Sequence, residues 1–424
     1  MKLGTNISDI QKSNRSLVFD KLLKNSPTSR IDLARETGLN KATITNIVQN
    51  FIARGIVSET GSITSSNGRR VAGLTLTIGS VVSIVMRIQA NNLIFCTSTL
   101  EGHIENYRSE YYFSDADDPS TLESLIVANI EDLKNQCYSN GKKILGLTIA
   151  TLGWLFHRDG RFIIKADIAP VLEKLDLQEL IEREFPGLTV FIEHDAKVSA
   201  LAEYDYYCKE QNWAPSTMLN IVGDVGFGGG IIINGEVFSG YNGIAGEIGH
   251  MGINPLKGSF VPTSGALHYS GLFENYASPR ALQESIRENF FDFPKASLGP
   301  DSSLEDIYIA YENGDPLAEF CVHRVARYLA YGLTGIIFIL NPEVIVFGDK
   351  MIRSEKFIQK FNSYLEIYLP VELFEVTKIR FSAYQEKGVL IGANSALVKH
   401  FIKTQNIIDF IVLEFQEKNM EEMK

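Results

Sequence analysis

Apolar residues recur along the first part of the chain at helical spacing. Over residues 8–25 the stripe is Leu17, Val18, Leu22 and Leu23, and Asn25-Ser26-Pro27 ends the helix. Ser29 is placed to cap a short helix running to Thr37. Gly38-Leu39-Asn40 then makes a tight turn, with glycine taking a conformation that other residues resist. Over residues 41–54, with Asn40 in the capping position, Ile44, Ile47, Val48, Phe51 and Ile52 fall on one face. Lys41, Thr43, Thr45, Asn46, Gln49 and Asn50 are left on the other. After Gly55, residues 56–59, a loop rich in Ser, Thr, Gly and Asn, then Gly68-Arg69-Arg70 and residues 71–78 predict a β-hairpin.

From residue 78 the periodicity changes. Strands are expected over 81–88 and 93–100, a third from Gly102-His103-Ile104, a helix over 122–138 and an apolar strand over 144–150. A helix over 175–184, a short strand over 189–192 and a helix over 196–207, just after His194-Asp195, follow. A mostly helical region is expected over about 278–335, a strand over 344–347 closed by Gly348, and a late strand over 379–381. A helix over 388–400 returns to the first lobe, and residues 404–424 read as an amphipathic helix with an acidic, mixed-charge end. This order is α/β in character. No internal repeat is visible.

Residues 221–250 stand apart. Gly223, Gly226, Gly228, Gly229 and Gly230 crowd together before a strand at 231–233, a turn at Asn234-Gly235, and Gly246-Glu247-Ile248-Gly249-His250. Such glycines let backbone approach something closely, and a phosphate is the first candidate. The carboxylate and imidazole of Glu247 and His250 are polar hooks for a ligand.

Length and composition narrow the class. The 424 residues suffice for two or three domains, and the longest apolar runs are far too short to span a bilayer. The N-terminus has no apolar signal region, and four scattered cysteines without a CxxC pair fit a reducing cytoplasm. Charge is uneven. Residues 1–72 hold 11 Lys/Arg and 5 Asp/Glu, a net +6; of the totals of 40 and 51, that leaves the remainder at −17. A basic head on an acidic body fits a head that meets a polyanion. Two short helices about a glycine turn, with a polar outer face and a basic hairpin tip, predict a winged helix-turn-helix. Lys41, Thr43, Thr45, Asn46 and Gln49 are its candidate groove contacts, and Arg69 and Arg70 its wing contacts, on operator DNA.

The head, NRSLVFDKLL through SRIDLARETGLNKATITNIVQNFIARGIVSET to GRR, resembles the winged helix-turn-helix of the ROK family of repressors, open reading frames and kinases. The body carries, in order, IEHDAKVSALAE, GFGGGIIINGEVFSGYNGIAGEIGH, LNPEVIVFG and GVLIGANSAL, and is similar to that family's kinase-like core. The resemblance covers roughly residues 10–400. It implies an actin-like (ribonuclease H-like) fold with two α/β lobes about a cleft. The expected division is residues 1–75 for the head, 76–192 for the first lobe, completed by about 385–424, and 193–384 for the second.

Against the family's kinases the nucleotide side departs. Their first phosphate loop, Asp-x-Gly-Gly-Thr, aligns with Arg87-Ile88-Gln89-Ala90-Asn91; their second, Gly-Thr-Gly-x-Gly, aligns with Asp224-Val225-Gly226-Phe227-Gly228. Asp349 follows Gly348 where a second glycine is usual. Loss of the metal-positioning acid and the phosphate-approaching glycines argues against ATP chemistry, so no catalytic residue and no cofactor is expected. On the sugar side, the resemblance implies that His194 (for the usual Asn), Asp195, Glu247, His250 and Glu274 hold sugar hydroxyls. Residues 150–153, with Gly153, would form the small loop beneath the sugar. The family's CxCGxxGC zinc motif aligns with Gly265, Leu267 and Leu272 at its cysteine positions, so no structural zinc is expected, despite nearby His268. The 251–273 segment would then be held by packing of Phe260, Leu267, Tyr269 and Phe273.

These features imply a cytoplasmic, sugar-responsive transcriptional regulator of repressor type, acting as a homodimer or tetramer on a palindromic operator. The alternatives are a sugar kinase with a fused regulatory head, and a body that recognises another protein through its acidic surface and a free C-terminal helix.

Overall fold

The computed structural model describes residues 7–66, 68–116, 118–158, 161–166, 168–223, 226–254 and 271–411. Its head is α1 (Ile7–Asn25), α2 (Arg30–Thr37), α3 (Lys41–Ala53) and the antiparallel hairpin β1 (Val57–Thr64) and β2 (Arg70–Leu76). Ser29 and Asn40 cap α2 and α3, accepting from the amides of Asp32 and Thr43, and Gly38 turns the chain at φ 70°. The buried face of α1 is Val18, Phe19 and Leu22. Leu17, expected inside, is 36% exposed, because the larger Phe19 fills the inner position and rotates the stripe. The Asp32 carboxylate accepts from the Ser29 hydroxyl at 2.6 Å and the Ser66 amide at 3.3 Å, which ties the wing to α2.

The first lobe comprises β3 (Val81–Ile88), β4 (Asn92–Thr99), β5 (Ile104–Tyr111), α4 (Ser120–Ser139), β6 (Lys143–Thr151), the hairpin β7 (Trp154–Arg158) and β8 (Arg161–Lys165), α5 (Leu177–Glu184) and β9 (Val190–His194). The second comprises α6 (Asp195–Glu210), β10 (Thr217–Gly223), β11 (Phe227–Ile233), β12 (Glu236–Val237), α7 (Glu274–Ala277), α8 (Pro279–Asn289), α9 (Leu304–Glu312), α10 (Pro316–Leu340), β13 (Val344–Asp349), α11 (Glu355–Tyr368), α12 (Val371–Val376) and β14 (Lys378–Phe381). The last helix is α13 (Lys387–Lys403).

The two sheets run β5-β4-β3-β6-β9 and β12-β11-β10-β13-β14. In each, a central strand pairs antiparallel on one side and parallel on the other. The chain therefore does contain a repeat, in hydrogen-bond topology rather than in residue identity. Each sheet buries its own apolar cluster. No helix among the described residues is long and apolar enough to cross a membrane.

Helices α6 and α13 join the lobes. A methyl on Gly392 of α13 would overlap the Val198 carbonyl of α6, so the helices cross with backbones in contact. Farther along α13, Leu397, Val398 and Phe401 share one cluster with Val18, Phe19 and Leu22 of α1. Ile407, Ile408 and Ile411 bury in the same cluster, and Lys12 pairs with Asp409 at 3.3 Å. The expected 404–424 helix is a turn at 404–405 and helical again over 407–411, and its remainder lies outside the described residues. The start of this tail is thus part of the head–body joint and not a free arm. Each buried isoleucine contributes about 1.5–3 kcal/mol there.

Candidate functional site

Four glycines of the glycine-rich stretch are strand residues, and Gly223 ends β10. Gly228, Gly229 and Gly230 lie within β11, paired to β10, a strand whose pattern the sequence did not separate. Their smallness serves packing. A methyl on Gly230 would overlap the Ala196 carbonyl, and one on Gly228 would come 3.2 Å from the His194 ring. Methyls on Gly226 and Gly249 would collide with the Glu274 carboxylate. These glycines are tight hairpin backbone: they let α6 sit directly on the sheet and make room for an acid. Asp224 and Val225 lie outside the described residues.

This close approach brings the start of α6 against the turn at Ile248–His250. His194 ends β9 and caps α6. Its Nδ1 accepts the Ala196 amide at 3.2 Å, so in the neutral ring the proton sits on Nε2, which faces Glu247 Oε1 at 3.4 Å. With Nδ1 used as an acceptor, its 3.5 Å approach to Asp195 Oδ1 is proximity and not a hydrogen bond. Asp195 Oδ2 lies 3.6 Å from Arg87. Burial pushes the Glu247 carboxyl above the ordinary carboxylate range; His194, His250 and Lys197 pull it down, and Asp195 adds to the rise.

Across the cleft, Gly153 adopts φ 77°, and a side chain there would overlap the Lys165 carbonyl. That turn starts β7 and sets Trp154 edge-on to His250, with ring centroids 4.9 Å apart. His250 Nδ1 is buried with no hydrogen-bond partner among the described residues. Glu274 opens α7 directly after Phe273, whose ring fills the space left by Gly332 of α10. Gly153, His194, Asp195, Glu247, His250 and Glu274 are thus brought to one place. Carboxylates and imidazoles beside an aromatic edge suit vicinal hydroxyls, which both donate and accept.

Sequence reasoning missed Trp154 and Lys197. Lys197 is 2% exposed and donates to the Gly243 carbonyl, with Glu193 at 3.4 Å. Its place two residues after Asp195 on α6 was the available signal. Arg87 was read only as a lost acid, yet it reaches into the cleft. Among the described residues no His/Cys/Asp/Glu group could hold a metal. Gly265, Leu267, His268, Phe260 and Tyr269 lie outside them, while Leu272 and Phe273 are buried.

On the head, Lys41, Asn46 and Gln49 of α3 are exposed, as are Arg69 and Arg70 at the wing. Thr43 and Thr45 are half-buried, and the Thr45 hydroxyl donates to the Lys41 carbonyl at 2.8 Å. Asn50, expected to face outward, is half-buried with its Oδ1 enclosed.

Comparison with known proteins places this geometry. A ROK family model matches residues 90–400. The chain is 25% identical over 412 residues to the xylose repressor of Caldicellulosiruptor bescii, covering 93% of this chain and 97% of that protein. It is 25% identical over 358 residues to the DNA-binding transcriptional dual regulator NagC of Escherichia coli, covering 83% and 84%. A solved ROK family transcriptional regulator, a homologue of the E. coli MLC protein, superposes with TM-score 0.74 at 23% identity over 95% of this chain and 99% of its own. A ROK family glucokinase from Streptomyces griseus, solved with glucose and AMPPNP, gives TM-score 0.58 at 21% identity over 74% and 98%. The xylose repressor and the MLC homologue match over 93% and 95% of this chain, whereas the glucokinase leaves about a quarter of it unmatched. With the family model spanning most of its length, the chain belongs to the ROK family.

Proposed function

We propose that this protein is a sugar-responsive transcriptional regulator that binds operator DNA through α3 and the β1–β2 wing, and senses a sugar between its lobes. It is a regulator and not a kinase, in keeping with relatives that match over 93% of the chain and are named xylose repressors. The observation that carries the reading is the physical link from site to head. Asp195 starts α6; α6 crosses α13 at Gly392; α13 packs its far end on α1. A sugar bound between Asp195 and Glu247 favours one closure of the lobes, and α13 passes that choice to the head. A ligand shifts such an equilibrium only by its differential affinity for the two states.

The effector is a small sugar held by Asp195, Glu247, His250, Glu274 and His194 over the Gly153 turn. The active species is a cytoplasmic homodimer whose two heads read half-sites of a palindrome. The outer faces of α10 and α11 expose Phe338, Ile339 and Ile367, a patch suited to an isologous contact.

Footprinting and gel shifts test this reading. Two protected half-sites roughly 10 base pairs apart, centre to centre, are expected, with affinity changed by one of xylose, N-acetylglucosamine or glucose. Arg69→Ala and Arg70→Ala should each reduce the salt slope by about one. DNA binding with no protected palindrome, or indifference to every sugar in a broad panel, would overturn it.

A further inference from the structure

We infer that Arg87 is a positioning residue for the sugar, an internal cation that closes the cleft from the side where the family's kinases hold nucleotide. This deepens the sugar-sensor reading and rests on it. Arg87 lies at the C-terminal end of β3, the central strand of the first lobe, and is 1% exposed. Its Nη2 pairs at 2.8 Å with Asp349 Oδ2, at the matching end of β13 in the second lobe. The same Nη2 lies 3.6 Å from Asp195 Oδ2, and Nη1 donates to the Glu386 carbonyl, where α13 begins, at 3.4 Å. One side chain therefore touches both lobes, the ligand-side acid and the helix that leads to the head.

A second, independent observation concerns Asp349. Its backbone sits at φ 53°, a left-handed conformation that glycine takes freely and a β-carbon resists. Asp tolerates this region better than most residues, and here its carboxylate is used in the pair with Arg87. The two departures from the kinase pattern, Arg for Asp at 87 and Asp after Gly348, are thus one change made from both lobes. Two carboxylates, those of Asp349 and Asp195, flank the guanidinium. Asp195 is held at a fixed point, ready for a hydroxyl, without nucleotide. The cleft has become a one-ligand site with its second ligand built in.

The full-length chain tests this by calorimetry against xylose, N-acetylglucosamine and glucose, with Arg87→Met, Asp349→Asn, the double variant Arg87→Met/Asp349→Asn, whose asparagine still tolerates the left-handed backbone, and Glu247→Gln as the sugar-site control. Each single variant should lose sugar affinity by about tenfold or more. The double variant leaves neither charge of the pair buried and alone, so it should regain the wild-type melting temperature without regaining affinity. A merely structural ion pair would make affinity return together with melting temperature, and that result overturns the proposal. So do single variants that bind sugar as wild type does while Glu247→Gln loses it. If wild type itself binds no sugar, the sensor reading fails, and hydrogen exchange decides Arg87 separately. Amides of residues 348–351 and 386–389 should exchange at least several-fold faster in the double variant, and unchanged exchange there overturns the proposal.

Discussion

The two sides of one cleft treat buried charge in opposite ways. On the side where kinases of the family hold nucleotide, Arg87 and Asp349 satisfy each other at 2.8 Å, with side chains 2% and 3% exposed. On the sugar side, Asp195 and Glu247 remain 15% and 18% exposed, Glu247 is raised in pKa by burial, and His250 keeps a buried nitrogen without a protein partner. The first arrangement pairs a buried cation directly with a buried acid. The second leaves acids and an imidazole nitrogen without partners of opposite charge at hydrogen-bond distance among the described residues. Unsatisfied polar groups cost stability, which is why the proposed sugar site is sought at Glu247 and His250.

The comparison is broken most easily at Gly230. If the glycine-rich strand were a relic of phosphate binding, Gly230→Val would be tolerated. Packing against Ala196 predicts instead a loss of about 4 kcal/mol or more, read as insoluble protein or a collapsed melting temperature. The next largest effect is Asp195→Asn. It should weaken sugar binding by about ten- to a hundredfold in calorimetry. Operator affinity should then cease to respond to sugar.

Glu247→Gln sharpens the contrast by its sign. Glu247 binds its proton more tightly folded than unfolded, because burial disfavours the charge. Its contribution to stability is therefore present below the unfolded carboxylate pKa and is lost as pH rises through the higher folded one. The Gln variant, which carries no charge, should match wild type at low pH and melt higher than wild type at neutral pH, while losing sugar response. A lower melting temperature at neutral pH would contradict the idea that burying the Glu247 charge costs stability. Removing one partner of the Arg87–Asp349 pair should act in the opposite direction, since it leaves a buried charge alone. The smallest effect belongs to His194→Asn. Asn can still cap α6 and donate toward Glu247, so stability should change by under about 1 kcal/mol in denaturant titration.

Much of the fold was legible because it is local. The caps Ser29 and Asn40, the turn at Gly38 and the buried face of α3 follow from spacing that one helix imposes on its own residues. The long helices and β3, the central strand of the first sheet, did too. The stretches that escaped were those whose pattern depends on partners far along the chain. Strand β10, the β7–β8 hairpin and the helices α11 and α12 are examples. Leu17 was misplaced for the same reason, since helical periodicity alone does not choose between a smaller and a larger neighbour for the inner position.

For the site, the sequence by itself determined which side chains were available. Asp195, Glu247, His250 and Glu274 could be named from motif order, as could the loss of the kinase loops. What they do to one another was decided by tertiary structure. The glycines of β11 became packing surfaces only once α6 lay on them. Arg87 and Asp349, 262 positions apart, became an ion pair only when two lobes with the same strand order faced each other. The tail residues Ile407, Ile408 and Ile411 became part of the head's core only when α13 carried them to α1. Local spacing encodes propensity and faces, whereas contact across hundreds of residues depends on how those faces close on one another.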